Sequence, residues 1–126
     1  MRLADKTAIV TGAASGFGRG IAEAFAAEGA KVVVADIDTA RAEAVASSIG
    51  NGAIAAVADV SKRDDVARLV DTTVRAFGGL DIVVNNAGVT HRNQSLMTVT
   101  EDEFDRIYAV NVKSIYLMTL ATVPEL

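Results

Sequence analysis

The stretch "TGAASGFG", residues 11–18, decides how this sequence folds. Its glycines stand at positions 12, 16 and 18. A glycine-rich string alone is more often a flexible turn than a binding site, so its meaning depends on its flanks. The apolar run "TAIVT" (7–11) precedes it and predicts a strand, and a helical pattern over 16–28 follows it. The sequence therefore predicts a strand, a glycine turn and a helix, in that order.

The same strand-then-helix unit repeats along the chain. Three more apolar runs lack polar alternation, as is typical of strands buried on both faces: "KVVVAD" (31–36), "AIAAVAD" (53–59) and "LDIVVN" (80–85). Strands that alternate with helices pair in parallel through right-handed crossovers. We therefore expect a single α/β domain over residues 1–126. It forms the first half of a doubly wound parallel sheet, with four strands in the order 3-2-1-4 and helices on both faces.

Capping residues set the expected helix ends. The first helix should stop at Gly29, and the second should run from a cap at Asp38 or Thr39 through about Ser48, closed by Gly50. Asn51-Gly52 then forms a plain connection rather than a hairpin turn. The third helix is predicted from a Ser61 cap to Phe77. The last has a Thr100–Glu103 capping box and runs to about Val123, before Pro124.

Composition narrows the class of protein. Twelve basic against sixteen acidic residues give a net charge of −4, which argues against nucleic acid or an anionic membrane as a main partner. The chain has no cysteine, so disulfides, thiolate catalysis and cysteine-based metal sites are excluded. No metal site is expected, and no apolar run is long enough for a membrane span. We expect a cytoplasmic protein.

The position of the glycines predicts an anion site. Where a strand ends and a helix begins, unpaired N–H groups and the helix dipole favour a pyrophosphate, and a side chain at Gly12 or Gly16 would block its approach. Gly18, inside the first turn, would let helix and strand pack closely. Asp36 ends the second strand and can accept hydrogen bonds from both ribose hydroxyls of an adenosine. No Lys or Arg follows it at Ile37 or Asp38, so NAD is favoured over NADP.

Three more strings join "TGAASGFG" in chain order: "ADV" (58–60), "NNAG" (85–88) and "YAVNV" (108–112). Together they resemble the short-chain dehydrogenase/reductase family over the whole chain, which implies a Rossmann-type fold. Phe17 departs from that family, which usually has an aliphatic residue there. We expect its side chain to pack under the loop.

The resemblance implies a role for each matched position. The loop would surround the pyrophosphate and adenosine ribose through Gly12, Ser15, Gly16, Phe17 and Gly18. Ile37 would adjoin the ribose site. Asp59 and Val60 would flank the adenine, while Asn86, Ala87 and Gly88 would lie along the sugar near the nicotinamide. Asn111 would be the catalytic-site asparagine that orients a water or backbone group, and its apolar neighbours suggest that it is buried.

The family's catalytic Ser and Tyr-x-x-x-Lys have no match in these residues. Tyr108 and Lys113 are five apart, Tyr116 has no Lys four residues later, and a lone loop His91 is ordinarily a surface residue. The sequence thus resembles an NAD(H)-dependent alcohol or ketone oxidoreductase, truncated before the fifth strand. A non-catalytic nucleotide-binding module and an unrelated Rossmann-like protein, such as a methyltransferase, are the alternatives. The resemblance also implies a homo-oligomer formed through the helix at 100–123.

Overall fold

The computed structural model describes all of residues 1–126. Four parallel strands form one sheet in the order β3-β2-β1-β4, as expected from the sequence. The strands are β1 (Thr7–Thr11), β2 (Lys31–Asp36), β3 (Ile54–Val57) and β4 (Ile82–Val84). β1 lies between β2 and β4, so chain connections leave it in both directions. This reversal opens a crevice at the carboxyl ends of the strands.

Helices cover both faces of the sheet. They are α1 (Gly16–Ala27), α2 (Thr39–Ile49), α3 (Arg63–Phe77), α4 (Glu101–Tyr108) and α5 (Ser114–Thr122). Short 3-10 turns lie at Leu96–Thr98 and Val123–Glu125. A wider π turn at Ala109–Lys113 joins α4 to α5, so the single helix predicted for 100–123 is one helical run with a wider turn in its middle.

Two apolar clusters hold the layers together. Ile9, Val33 and Leu69 belong to the cluster under α3 and α5, and Val10 and Val34 belong to the cluster under α1 and α2. Neighbouring strand residues thus face opposite layers, as the predicted pattern requires. β1 is buried at every position. β4 is half-buried throughout, and β3 has three half-buried residues and an exposed Val57, so the expectation of burial on both faces is wrong for these two strands.

Most predicted boundaries are close to the observed ones. Asp38 caps α2 by accepting from Arg41 N at 3.1 Å, and Thr100 and Glu103 form the predicted capping box. The expected cap at Ser61 is wrong. Its N–H and hydroxyl both donate to Asp59 Oδ1, at 3.0 and 2.6 Å, and α3 starts after Lys62. This local Asx-type turn takes the serine away from the helix end.

Candidate functional site

The glycine loop is held against the end of β4 by close backbone packing. A Cβ at Gly12 would stand 2.9 Å from Ala87 Cα, and Gly12 has a φ of +63°. A Cβ at Gly18 would overlap the Gly12 carbonyl and stand 2.5 Å from Asn86 Nδ2. Gly18 therefore allows the predicted close packing. Gly12 also allows close packing, because a side chain there would collide with Ala87. It would not block the entry of an anion, so the role expected for Gly12 is different from the observed one.

The start of α1 presents free backbone donors. The N–H groups of Gly16, Phe17 and Gly18 donate to no group within the chain. The Ser15 side chain makes no capping bond, and the first turn of α1 has no acidic residue. Nothing lies within 4 Å of a Cβ built at Gly16. A helix start with unpaired N–H groups and no competing carboxylate suits an anionic group.

Thr11 and Asn86 join the ends of β1 and β4. The Thr11 hydroxyl donates to Val84 O at 3.1 Å and accepts from Asn86 N and Ala87 N at 3.0 and 3.1 Å. Asn86 Nδ2 donates to Thr11 O and Gly12 O at 3.1 and 3.3 Å. The Asn86 amide is therefore committed to holding the glycine loop. Thr11 has this positioning role although the sequence reasoning gave it none.

Asp36 ties the end of β2 to the same loop. Its Oδ2 accepts from Ala14 N and its Oδ1 from Asp38 N, each at 3.0 Å. The carboxylate is half-buried and faces the crevice. Each oxygen keeps a free lone pair, because a carboxylate offers about four acceptor sites. Asp36 can therefore still accept bonds from a ligand.

The loop after β3 is ordered around Asp59. The Asp59 N–H donates to Asp65 Oδ2 at 2.8 Å. That bond, with help from the nearby Arg68 guanidinium, lowers the pKa of the Asp65 carboxyl below its ordinary value. Asp59 itself accepts from Ser61, so its side chain is fixed in orientation.

Asn111 binds the backbone of Val89. Its Oδ1 accepts from Val89 N and its Nδ2 donates to Val89 O, both at 2.8 Å. The side chain is exposed rather than buried, so the expected burial is wrong. The paired bonds fix the chain after Gly88 to the helical run, which agrees with the expected contact to a backbone group.

These elements enclose a groove of about 530 Å³ at the carboxyl edge of the sheet. All of the predicted cofactor residues line it except Gly16 and Gly18. They are Gly12, Ser15, Phe17, Asp36, Ile37, Asp59, Val60, Asn86, Ala87 and Gly88. Arg106 and Val110 of the helical run line it too, and sequence reasoning gave neither a role. Only the "YAVNV" string pointed to this stretch.

Phe17 does not pack under the loop. Its side chain is 89% exposed at the rim of the groove, so the expected packing is wrong. Helix α1 leaves this position on its outer side, and no apolar partner covers the ring.

Sequence comparison identifies the family. The family model described as short chain dehydrogenase matches residues 6–126. The chain belongs to the short-chain dehydrogenase family. It is 47% identical over 128 residues to 4-formylbenzenesulfonate dehydrogenase of Comamonas testosteroni, covering 99% of this chain and 51% of that protein. It is 44% identical over 121 residues to galactitol 2-dehydrogenase of Agrobacterium fabrum, covering 96% and 47%.

A solved member of the short-chain dehydrogenase family has the same fold. The crystal structure of 3-ketoacyl-(acyl-carrier-protein) reductase from Brucella melitensis, complexed with NADH, matches with a TM-score of 0.95 and 50% identity. The match covers 98% of this chain and 51% of that one. The chain thus spans about half the length of the relatives it matches.

Two further findings concern metals and membranes. No group of three or more His, Cys, Asp or Glu side chains is arranged to hold a metal ion. None of the helices combines the length and the apolar character that a membrane crossing needs.

Proposed function

We propose that this chain is the dinucleotide-binding part of an NAD(H)-dependent oxidoreductase that interconverts an alcohol and a ketone. The groove at the carboxyl edge carries this proposal. It brings the glycine loop, Asp36, Asp59 and the Asn86–Gly88 stretch to one cavity. The NADH named with the similar reductase from Brucella melitensis supports the choice of cofactor.

The residues fit such a cofactor part by part. The free N–H groups at the start of α1 would bind the pyrophosphate. The Asp36 carboxylate would accept from the ribose hydroxyls, and Asp59 and Val60 would adjoin the adenine. Asn86, Ala87, Gly88 and Ile37 complete the proposed contacts. When bound, NAD accepts or gives the hydride.

We propose a positioning role for Asn111. Through its two bonds to Val89 it fixes the strip of chain that follows Gly88, on the nicotinamide side of the groove. Neither Tyr108 nor Tyr116 is followed by a Lys four positions later, so we propose that these 126 residues lack the proton-transferring Ser and Tyr-x-x-x-Lys of the family. Proton transfer by a placed acid or base contributes about 10²–10⁴-fold to a rate. The 126-residue chain should therefore bind cofactor but not turn over substrate usefully.

The choice between NAD and NADP is tested by titration of NADH and NADPH in a calorimeter. We expect NADH to bind at least about tenfold tighter, or about 1.4 kcal/mol, because a 2′-phosphate would meet the Asp36 carboxylate. Asp36→Asn removes the charge and keeps an acceptor for Ala14 N, and should narrow the gap. Asp38→Asn, two residues further along the chain at the start of α2 and outside the groove lining, is the matched control. Equal or tighter NADPH binding by the unchanged chain contradicts the proposal.

We also propose that copies of the chain associate through the helical run and the free edge of β4. Large apolar side chains are exposed along this run: Phe104 at 60%, Tyr108 at 56%, Ile115 at 46%, Tyr116 at 54% and Leu120 at 49%. β4 pairs with β1 only, so its other edge has unpaired backbone groups. Light scattering should show a dimer or larger assembly at micromolar concentration, and Leu120→Glu should shift it towards monomer. A stable monomer of the unchanged chain contradicts this.

A cytoplasmic location stays a prediction.

A further inference from the structure

Arg106 is the one basic side chain among the residues that line the groove. It is exposed and, like Arg2, Arg63 and Arg92, forms no ion pair, whereas Arg19, Arg41, Arg68 and Arg75 each pair with a carboxylate. The two carboxylates of the groove accept hydrogen bonds from other groups instead: Asp36 from the backbone N–H groups of Ala14 and Asp38, and Asp59 from Ser61. The guanidinium is thus free to meet a ligand.

The fold places Arg106 on the α3 side of the groove. It lies one helical turn before Val110, which also lines the groove, and residues four apart share a helix face. The run continues into α5, whose Leu117 and Met118 pack in one cluster with Val66 of α3. The helical run and α3 therefore lie side by side, and the loop that leads into α3 borders the groove together with Arg106.

The sheet order says which part of a nucleotide reaches that side. This step rests on the proposed function. With phosphates at the end of β1 and the ribose at Asp36 on β2, the base extends towards the end of β3, where Asp59 and Val60 lie. The free N–H groups that would bind the phosphates belong to α1, which covers the opposite face. The adenine, rather than the pyrophosphate, is thus the part that comes within reach of Arg106.

We propose that the Arg106 guanidinium stacks on the adenine ring of the bound nucleotide and strengthens binding of the adenosine half. A guanidinium is planar and weakly hydrated, and it stacks readily on aromatic faces. Such a cation–π contact needs no carboxylate partner, which agrees with the unpaired state of Arg106. The side chain is therefore an affinity determinant for the base and not for the phosphates.

Measuring the binding of adenosine and of adenosine diphosphoribose to the full chain distinguishes a contact of Arg106 with the base from a contact with the phosphates. Arg106→Gln should lower the affinity for both ligands by the same factor, about fivefold, and Arg106→Lys should recover part of this loss. Arg75→Gln, the same charge change on the exposed far end of α3, should leave both affinities unchanged. The arginine Nε–H signal that disappears in Arg106→Gln should move upfield when adenosine saturates the chain, because the purine ring current shields it. Ribose 5-phosphate should not move it upfield.

Four results would overturn the proposal. Loss of affinity for adenosine diphosphoribose with adenosine unaffected would assign Arg106 to the phosphates. If Arg106→Gln binds both ligands as tightly as the unchanged chain does, the guanidinium does not stack on the adenine. The same conclusion follows if adenosine causes no upfield shift of the Arg106 Nε–H signal. If the unchanged chain binds neither ligand, the proposed function fails and the role of Arg106 fails with it.

Discussion

The two strands that flank the groove, β1 and β4, differ sharply in how the chain covers them. Every residue of β1 is buried, and the glycine loop after it is fixed by Asn86 and Asp36. β4 is half-buried, and the helical run that follows exposes large apolar side chains. Both strands lie in apolar runs of the sequence. The difference shows that the β1 side of the groove is buried and held by contacts within this chain, while the β4 side leaves apolar side chains exposed.

The largest expected effect is a difference in stability between substitutions on the buried side and on the exposed side of the helical run. Met118 is fully buried, and Leu120, two residues on, is 49% exposed. Met118→Ala should lower the free energy of unfolding by about 2–5 kcal/mol, because it leaves a cavity between α3 and α5. Leu120→Ala should change it by less than about 0.5 kcal/mol. Urea denaturation at low protein concentration measures both. Similar losses for the two variants would show that the exposed side is covered in solution.

Glycine substitutions in α1 test how tightly the complete side is packed. Gly18→Ala should destabilise the chain by about 1–3 kcal/mol and weaken nucleotide binding, because the new methyl overlaps the Gly12 carbonyl and Asn86. Gly20 lies in the same helix, with nothing within 4 Å of a Cβ. Gly20→Ala should instead stabilise by about 0.5–1 kcal/mol. Thermal unfolding of the two variants gives the answer, and a neutral Gly18→Ala would argue against the close packing.

A smaller effect on stability is expected from the contacts that join the start of β1 to the residue just before β4. Asp81 accepts from Thr7 N at 2.8 Å and pairs with Lys6 Nζ at 3.3 Å, and the backbone bond first and Lys6 second lower its pKa. A lowered pKa stabilises the fold above the ordinary value near 4, and this stabilisation is lost as pH falls through the folded value. Asp81→Asn should therefore be less stable than the unchanged chain at pH 7, and the gap should close towards pH 2.

Urea denaturation at several pH values measures that gap. Asp71→Asn is the control, because its exposed pair with Arg75 should contribute little at any pH. An Asp81→Asn deficit that persists undiminished at pH 2 would show that the bond to Thr7 does not depend on ionisation.

Much of the fold could be predicted because burial on both faces leaves a clear pattern. β1 and β2 have the predicted bounds. The runs for β3 and β4 were predicted too long, because Ala58 and Leu80 are buried core residues that lie outside the strands. Apolar character reports burial, and a buried loop residue has the same signature as a strand residue.

The candidate site was predictable where it depends on local chain order and not where it depends on tertiary contact. The glycine loop and Asp36 follow their strands directly, and they line one groove apart from Gly16 and Gly18. Arg106 reaches that groove only because α5 packs beside α3, which no local pattern encodes. Phe17 was expected to pack under the loop, at a position that is usually aliphatic in the family, yet the start of α1 leaves its side chain exposed.

The most direct test of the central claim is calorimetric titration of the chain with NAD and with adenosine diphosphoribose. If this chain forms the complete adenosine half of the site, the two dissociation constants should agree within about one decade, or about 1.4 kcal/mol. Adenosine diphosphoribose that binds much more than tenfold weaker than NAD, or not at all, would contradict the account.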